Sequence, residues 1–273
     1  MRQGGNVGSL KNKVAIVTGS GTGIGQACAL MFADEGATLV LVGRRREPLE
    51  KTASDCESRG SSVLVLPTDL EDGDAAEKVV LQTIQHFGRV DILINNAGHS
   101  SRVRSVKYVD PDEFQSVFRV NVEGLYRITQ AAVRDMLLRQ EGTVITVSSM
   151  AAITPGLLGG LPYGAAKAAS FNMMRSINAE LRAEGIRACT ILPGEVDTPI
   201  LDNRPLPPDA EARETMMQAE DVAAAILLCA SMPQRTLIEE MTMLPTQPRN
   251  VSSDMKAARE IKSSEDQYSL KDL

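Results

Sequence analysis

The sequence predicts one doubly wound α/β domain, a mostly parallel sheet covered by helices on both faces in three α/β/α layers. Short β-branched runs alternate with helical stretches from Lys13 to about Leu192. The runs are continuously apolar rather than alternating, as strands buried on both faces must be. Right-handed crossovers in a β-α-β-α order then make the sheet mostly parallel. At 273 residues and 43% apolar, the chain has the material for one large core.

Strands are expected over residues 13–18, 38–42, 62–66, 91–94, 143–147 and 187–192, with a last one over 239–244. Helices are expected over 24–35, 47–59, 72–87, 111–139, 162–183 and 221–231. Gly36, Gly60, Gly88, Gly142 and Gly185 each stand at a helix end, where a left-handed residue closes the last turn. Residues 198–208 carry four prolines and little periodicity, and 211–220 are charged. This insertion leaves the carboxyl side of the sheet, where ligands bind in open α/β folds. It is either a lid over about 198–220 or a tolerated surface loop. The domain is thus bounded at 10–246. Residues 1–9 and 249–273 are polar tails, either flexible or docked on a neighbouring subunit.

A net charge of −6 and a pI near 5.2 argue against nucleic-acid and membrane-surface partners. Residues 1–13 lack the basic and apolar pattern of a targeting leader, and the apolar run 223–230 is too short for a span. Cys28, Cys56, Cys189 and Cys229 are scattered and read as thiols of a reducing, cytoplasmic protein. His86 and His99 sit at no ligand spacing, so no metal is expected.

The first strand runs into Thr18-Gly19-Ser20-Gly21-Thr22-Gly23-Ile24-Gly25 and then a helix. Glycines there let the backbone turn and approach a pyrophosphate, whose charge meets the free N–H groups of the helix N-terminus. The fold class is accordingly Rossmann-type. The spacing is T-G-x-x-x-G-x-G rather than G-x-G-x-x-G.

With four further motifs, the chain resembles the short-chain dehydrogenase/reductase superfamily from roughly Leu10 to Leu244. Asn95-Asn96-Ala97-Gly98 follows the fourth strand; Asn121 opens an N-x-x-G with Gly124; Ser149 follows the fifth strand and Tyr163-x-x-x-Lys167 opens the next helix. Pro193-Gly194-x-Val196-x-Thr198 follows the sixth strand. The resemblance implies hydride transfer between a nicotinamide dinucleotide and a carbonyl or alcohol, with Asn121, Ser149, Tyr163 and Lys167 as catalytic residues. It places Gly19, Ser20, Thr22, Gly23, Ile24, Gly25, Asp69, Leu70, Asn95, Ala97, Gly98, Pro193, Gly194, Val196 and Thr198 on the cofactor. It implies that Asn121 anchors a water linking Lys167 to solvent. It also implies a homodimer or homotetramer, through the helices that carry Asn121 and Tyr163.

The chemistry suits the spacing. Tyr163 and Lys167, four apart, share a helix face, and a nearby cation lowers a phenol from its usual value of about 10. Tyr163 would then exchange a proton with the substrate oxygen while Ser149 hydrogen-bonds it. Lys167 would also hold the nicotinamide ribose. Taken singly, Tyr163 and Lys167 could be a surface pair, Ser149 a turn residue and Asn121 a satisfied helix residue. The interval to Tyr163 is one residue longer than is usual in the family, so Ser148 competes with Ser149, and Ser149 is preferred.

Relatives that use NAD place an acid at the end of the second strand. This chain has Gly43 there, followed by Arg44-Arg45-Arg46 at a helix start. Such cations oppose the helix dipole unless an anion joins them, and a guanidinium grips phosphate in a fork. NADP(H) is therefore the expected cofactor, with Arg44 first and Arg45 second as ligands. NAD(H) and a merely solvated basic turn are the alternatives. His99 lines the substrate pocket or is structural. Met243-Leu244-Pro245-Thr246 stands where relatives often have Gly-Gly. Rival readings are a non-catalytic nucleotide sensor on the same fold, or a methyltransferase that would bind S-adenosylmethionine.

Overall fold

The computed structural model describes residues 10–263. Seven parallel strands form one sheet: β1 (Val14–Thr18), β2 (Thr38–Gly43), β3 (Val63–Pro67), β4 (Ile92–Asn95), β5 (Gly142–Val147), β6 (Ile186–Pro193) and β7 (Glu240–Met243). Their spatial order is β3-β2-β1-β4-β5-β6-β7. The order reverses between β1 and β4, whose register pairs Ile16 with Leu93, and a crevice opens there beyond the strands' carboxyl ends.

Helices α1 (Gly23–Asp34), α2 (Arg46–Ser58), α3 (Gly73–Phe87), α4 (Pro111–Phe118), α5 (Leu125–Leu137), α6 (Leu161–Leu181), α7 (Ala210–Glu214), α8 (Ala219–Ser231) and α9 (Ser252–Glu260) follow in chain order. Alternate strand residues feed two cores. Val17, Ile94 and Ile145 pack with Phe32 of α1 and Ile226 of α8, while Ile16, Leu93 and Val144 pack with Val79 of α3, Ile128 of α5 and Met174 of α6. Each fully buried side chain of this size contributes about 1.5–3 kcal/mol. Helix starts are set locally: Asp72 accepts from Asp74 N (3.0 Å) and Ala75 N (3.2 Å), and Asp110 caps Glu113 N (2.8 Å) ahead of Pro111. No helix among the described residues is long and apolar enough to cross a membrane.

Four departures from the sequence reading have physical causes. The helix expected over 111–139 is α4 and α5 joined by a π-helical stretch, Arg119–Gly124, that widens the backbone around Asn121. Gly142 is not a helix-end residue: it lies in β5, where a Cβ would come 2.3 Å from Met136 Sδ, and Gln140 (φ +53°) supplies the left-handed turn instead. The 198–220 insertion is structured, with a 3₁₀ turn (Pro199–Asn203) and α7, and Asp197 N donates to Met217 O (2.8 Å) to close its base. Residues 252–260 of the expected tail form α9 on their own chain, with Ala258 buried. Residues 1–9 and 264–273 lie outside the described residues.

Gly185 (φ +85°) ends the turn before β6, and a Cβ there would meet the Gln140 carbonyl oxygen at 1.8 Å, whereas Gly60 (φ +89°) has nothing within 4 Å. Gly60→Ala should therefore cost only the left-handed penalty, about 1–2 kcal/mol. Gly185→Ala adds a backbone clash and should cost about 2–4 kcal/mol, read as a lower urea midpoint at unchanged m-value. Equal losses for the two variants would show that the turn relaxes around the added methyl.

Candidate active site

The glycine turn is stitched to the end of β4. Thr18 Oγ1 donates to Ile94 O (3.1 Å) and accepts from the N–H groups of Asn96 and Ala97 (3.0 Å each). Asn96 Nδ2 in turn donates to Thr18 O (3.0 Å) and Gly19 O (3.2 Å). A Cβ on Gly25 would lie 2.3 Å from Gly19 O, so the turn closes onto α1 only with glycine there. Thr22 caps α1 without a side-chain hydrogen bond and no acid occupies the first turn, which leaves that N-terminus electropositive.

A cleft of about 870 Å³ runs along the carboxyl edge of the sheet. Gly19, Thr22, Gly23, Ile24, Arg44, Arg45, Asp69, Leu70, Ala97, Gly98, Pro193, Gly194, Val196 and Thr198 line it, as do Ser149, Tyr163 and Lys167. Arg44 and Arg45 are exposed at its rim, beside Gly43. A continuous groove with small residues at the turn, an electropositive helix end and basic residues at one rim fits an anionic dinucleotide. Ser20, Gly25 and Asn95 do not line it. Ser20 is fully buried with its hydroxyl 3.4 Å from Val42 O, and Asn95 Nδ2 donates to Thr129 Oγ1 (2.8 Å), holding β4 to α5. Ser20 and Gly25 thus belong to the inside of the turn, and Asn95 to the packing of β4 on α5.

Two hydrogen bonds join β5 to α6: Lys167 Nζ donates to Val147 O (2.8 Å), and Ser148 Oγ donates to Lys167 O (3.0 Å). Ser148 is thus committed to the scaffold. Ser149, free of that duty, accepts from Ala151 N (3.1 Å) and is close enough to the Tyr163 phenol to pull its pKa down. Lys167 Nζ is 5.5 Å from the Tyr163 ring centre. Asn121 Nδ2 donates to His99 O (2.9 Å) and Val117 O (2.8 Å). Its Oδ1 is buried without a protein partner and lies 2.4 Å from where a Cβ of Gly98 would stand, with Lys167 Nζ 3.6 Å from that point. Asn121 and Lys167 therefore crowd one glycine. His99 lines the cleft with Nε2 3.2 Å from Ser116 Oγ, and burial holds its pKa below the usual value.

The family model described as short chain dehydrogenase matches residues 13–207. The chain belongs to the short-chain dehydrogenase family. It is 32% identical over 231 residues to a 3-oxoacyl-[acyl-carrier-protein] reductase of Thermotoga maritima, covering 81% of this chain and 92% of that one. An alcohol dehydrogenase of the archaeon Thermococcus sibiricus, complexed with 5-hydroxy-NADP, superposes with a TM-score of 0.78 at 25% identity, over 87% of this chain and 98% of that one. A short chain dehydrogenase of Mycobacterium paratuberculosis bound to NAD shares the fold, with a TM-score of 0.77 at 24% identity over 86% and 97% of the two chains.

Beyond Tyr163, the dehydrogenase carries charged groups that no sequence motif marks. Arg104, 3% exposed, lines the cleft and donates through Nη1 to Leu158 O. Glu195 accepts from Arg204 (2.6 Å) and from Arg249 (2.8 and 2.9 Å), and Arg249 also grips Asp254 (2.7 and 2.9 Å). Isolated arginines in polar loops give no periodic signal; only the fold gathers them.

These groups change the expected electrostatics. Burial pushes the Tyr163 phenol above its ordinary value, against the lowering pull of the Ser149 hydrogen bond and of Arg204 and Arg104. Burial outweighs the pull of the two arginines, and Lys167 Nζ lies 5.5 Å from the ring centre. Burial lowers Lys167 from 10.5 to about 8. Folded protein therefore binds fewer protons than unfolded chain between about pH 8 and 10.5, and this lysine makes stability rise with pH across that window. Lys167→Met should remove that rise: it gains most relative to wild type at pH 7 and least at pH 10.5, by urea unfolding without cofactor. A gain independent of pH would show that the lysine is not desolvated.

Proposed function

We propose that this short-chain dehydrogenase is an NADP-preferring reductase of carbonyl compounds, or alcohol dehydrogenase in the reverse direction. The observation that carries the reading is the convergence of Tyr163, Ser149 and Lys167 on one wall of a cleft whose rim holds Arg44 and Arg45. NADP(H), when bound, supplies or takes up the hydride. Its pyrophosphate belongs at the turn of Gly19–Ile24, where a glycine-shaped backbone and the start of α1 present N–H groups. Arg44, with Arg45 in support, takes the 2′-phosphate, since β2 ends on Gly43 rather than on an acid that would repel it.

Tyr163 Oη gives a proton to the substrate carbonyl oxygen in reduction and receives it back in oxidation. Reduction is the working direction, because the NADP(H) pool is kept reduced in cells. Ser149 Oγ donates a hydrogen bond to the same oxygen and fixes its position beside the phenol. Lys167 stabilises the phenolate left behind and holds the nicotinamide ribose, and Asn121 Oδ1, buried behind Gly98, anchors the water that relays protons from Lys167. The described cysteines are all buried free thiols, which supports a reducing, cytoplasmic setting. A homo-oligomer through α5 and α6 completes the reading; Tyr126 and Leu138 on α5 and its end are exposed, at 44% and 83%.

Tyr163→Phe should lower kcat for ketone reduction by about 10²–10⁴ while NADPH affinity changes little. Unchanged turnover would leave a nucleotide-binding sensor as the better account. Arg44→Ala should raise the Kd for NADPH at least tenfold, about 1.4 kcal/mol, and leave NADH within twofold. Equal losses for both cofactors would rule out the 2′-phosphate contact.

A further inference from the structure

Arg104 is the most deeply buried cation on the substrate side of the cleft, and it has no acid. Its Nη1 hydrogen bond to the Leu158 carbonyl satisfies one of five N–H groups, and Nε is buried with no partner. Among the described residues no carboxylate pairs with it, although every other arginine of this wall is paired. Arg204 is matched by Glu195, and Arg249 by Glu195 and Asp254. Three guanidiniums thus face two carboxylates, leaving one positive charge in excess at the place where Arg104 lines the cavity.

Arg104 also packs on the turn that leads into Tyr163, where Leu161 N donates to its carbonyl oxygen (3.0 Å). Gly159 and Gly160 join the two: a Cβ on Gly159 would lie 3.6 Å from Tyr163 Cδ1, and one on Gly160 would lie 2.7 Å from Arg104 Cβ. Both arginines are close enough to pull on the phenol's ionisation, and Arg104 itself stays cationic at neutrality although burial lowers it to about 10. Apolar side chains lie among these charged groups in the cleft lining, Leu158, Leu201, Met216 and Met255.

We propose that Arg104 binds a carboxylate of the substrate, so that the protein reduces oxo acids, or oxidises hydroxy acids, in preference to neutral ketones and alcohols. The inference rests on the reductase reading and names the substrate class for the same site. A buried guanidinium without an acid is costly unless an anion completes it, and a planar carboxylate matches its fork. A single excess positive charge matches a monoanion better than a phosphate monoester. The apolar neighbours suit the carbon chain that carries it. Arg104 is a specificity residue in this account. The proton still passes through Tyr163, and no further reactant is required.

The test compares linear oxo acids with their methyl esters, with one to four bonds between ketone and carboxyl, using NADPH and the full-length wild-type protein. At one spacing or more the acid should exceed its ester in kcat/KM by at least about tenfold, mostly through KM. Arg104→Met should cut that acid-to-ester ratio to within twofold, through a rise in KM for the acid that the ester does not share, whatever common change in kcat the two substrates show. Because Arg104 also holds the Leu158 loop, calorimetric titration of the wild-type NADP⁺ complex with pentanoate and pentanamide gives an arm free of folding and turnover. Pentanoate should bind at least tenfold more tightly. Reduction of esters and plain ketones with no preference for acids and no binding of pentanoate would overturn the proposal and leave the reductase reading standing. Tight pentanoate binding with no reduction of any carbonyl would uphold Arg104 as a carboxylate site and sink the reductase reading instead.

Discussion

The site is organised by a buried ammonium group at the junction of β5 and α6. Lys167 reaches back to the Val147 carbonyl, and Ser148 reaches across to the Lys167 carbonyl, so strand end and helix are tied in both directions. Desolvation makes this lysine costly, as its lowered pKa records. It is tolerable only where a carbonyl accepts its hydrogen bond and the open cleft lies alongside. Fixing Lys167 fixes Tyr163 one helical turn earlier on the same face. It also decides between the two serines, because the first is consumed by the tie and the second is left to face the phenol.

The phenol then sits between opposed influences. Burial favours its neutral form, while Ser149, Arg204 and Arg104 favour the phenolate. Burial prevails, so the neutral phenol is favoured while these three groups pull the other way. A phenol with no cations nearby would hold its proton too tightly, and one with no burial would share it with water.

The sheet was legible in the sequence because strands covered on both faces need unbroken apolar runs, and their ends were marked by motifs whose order is hard to produce otherwise. Within those motifs the division of labour was not legible. Ser20, Gly25 and Asn95 carry the same signature as their cleft-lining neighbours, yet the first two pack inside the turn and Asn95 ties β4 to α5, and only packing separates them. The π-helical stretch at Asn121 was invisible, since six residues are too few for a change of helical period to register. Gly142 looked like a helix stop because it follows one, but what demands glycine there is Met136 pressed against it. Arg104 and the Glu195 cluster left no trace, because charges in irregular loops have no spacing to read.

The tail shows why charge content alone misled. Residues 249–263 are polar, and polar segments without apolar residues usually lack the burial needed to order them. Here order comes from one arginine. Arg249 grips Glu195 and Asp254 through paired hydrogen bonds, and burial of this ion group is repaid by its bidentate geometry. Glu195 lies between Gly194 and Val196, which line the cleft, and it also takes Arg204 from the segment that follows. A single carboxylate thereby gathers the loop after β6, residues 198–208 and, through Arg249, α9. The same arrangement engages Glu195 and Asp254 with Arg204 and Arg249, so that among the described residues neither acid pairs with Arg104.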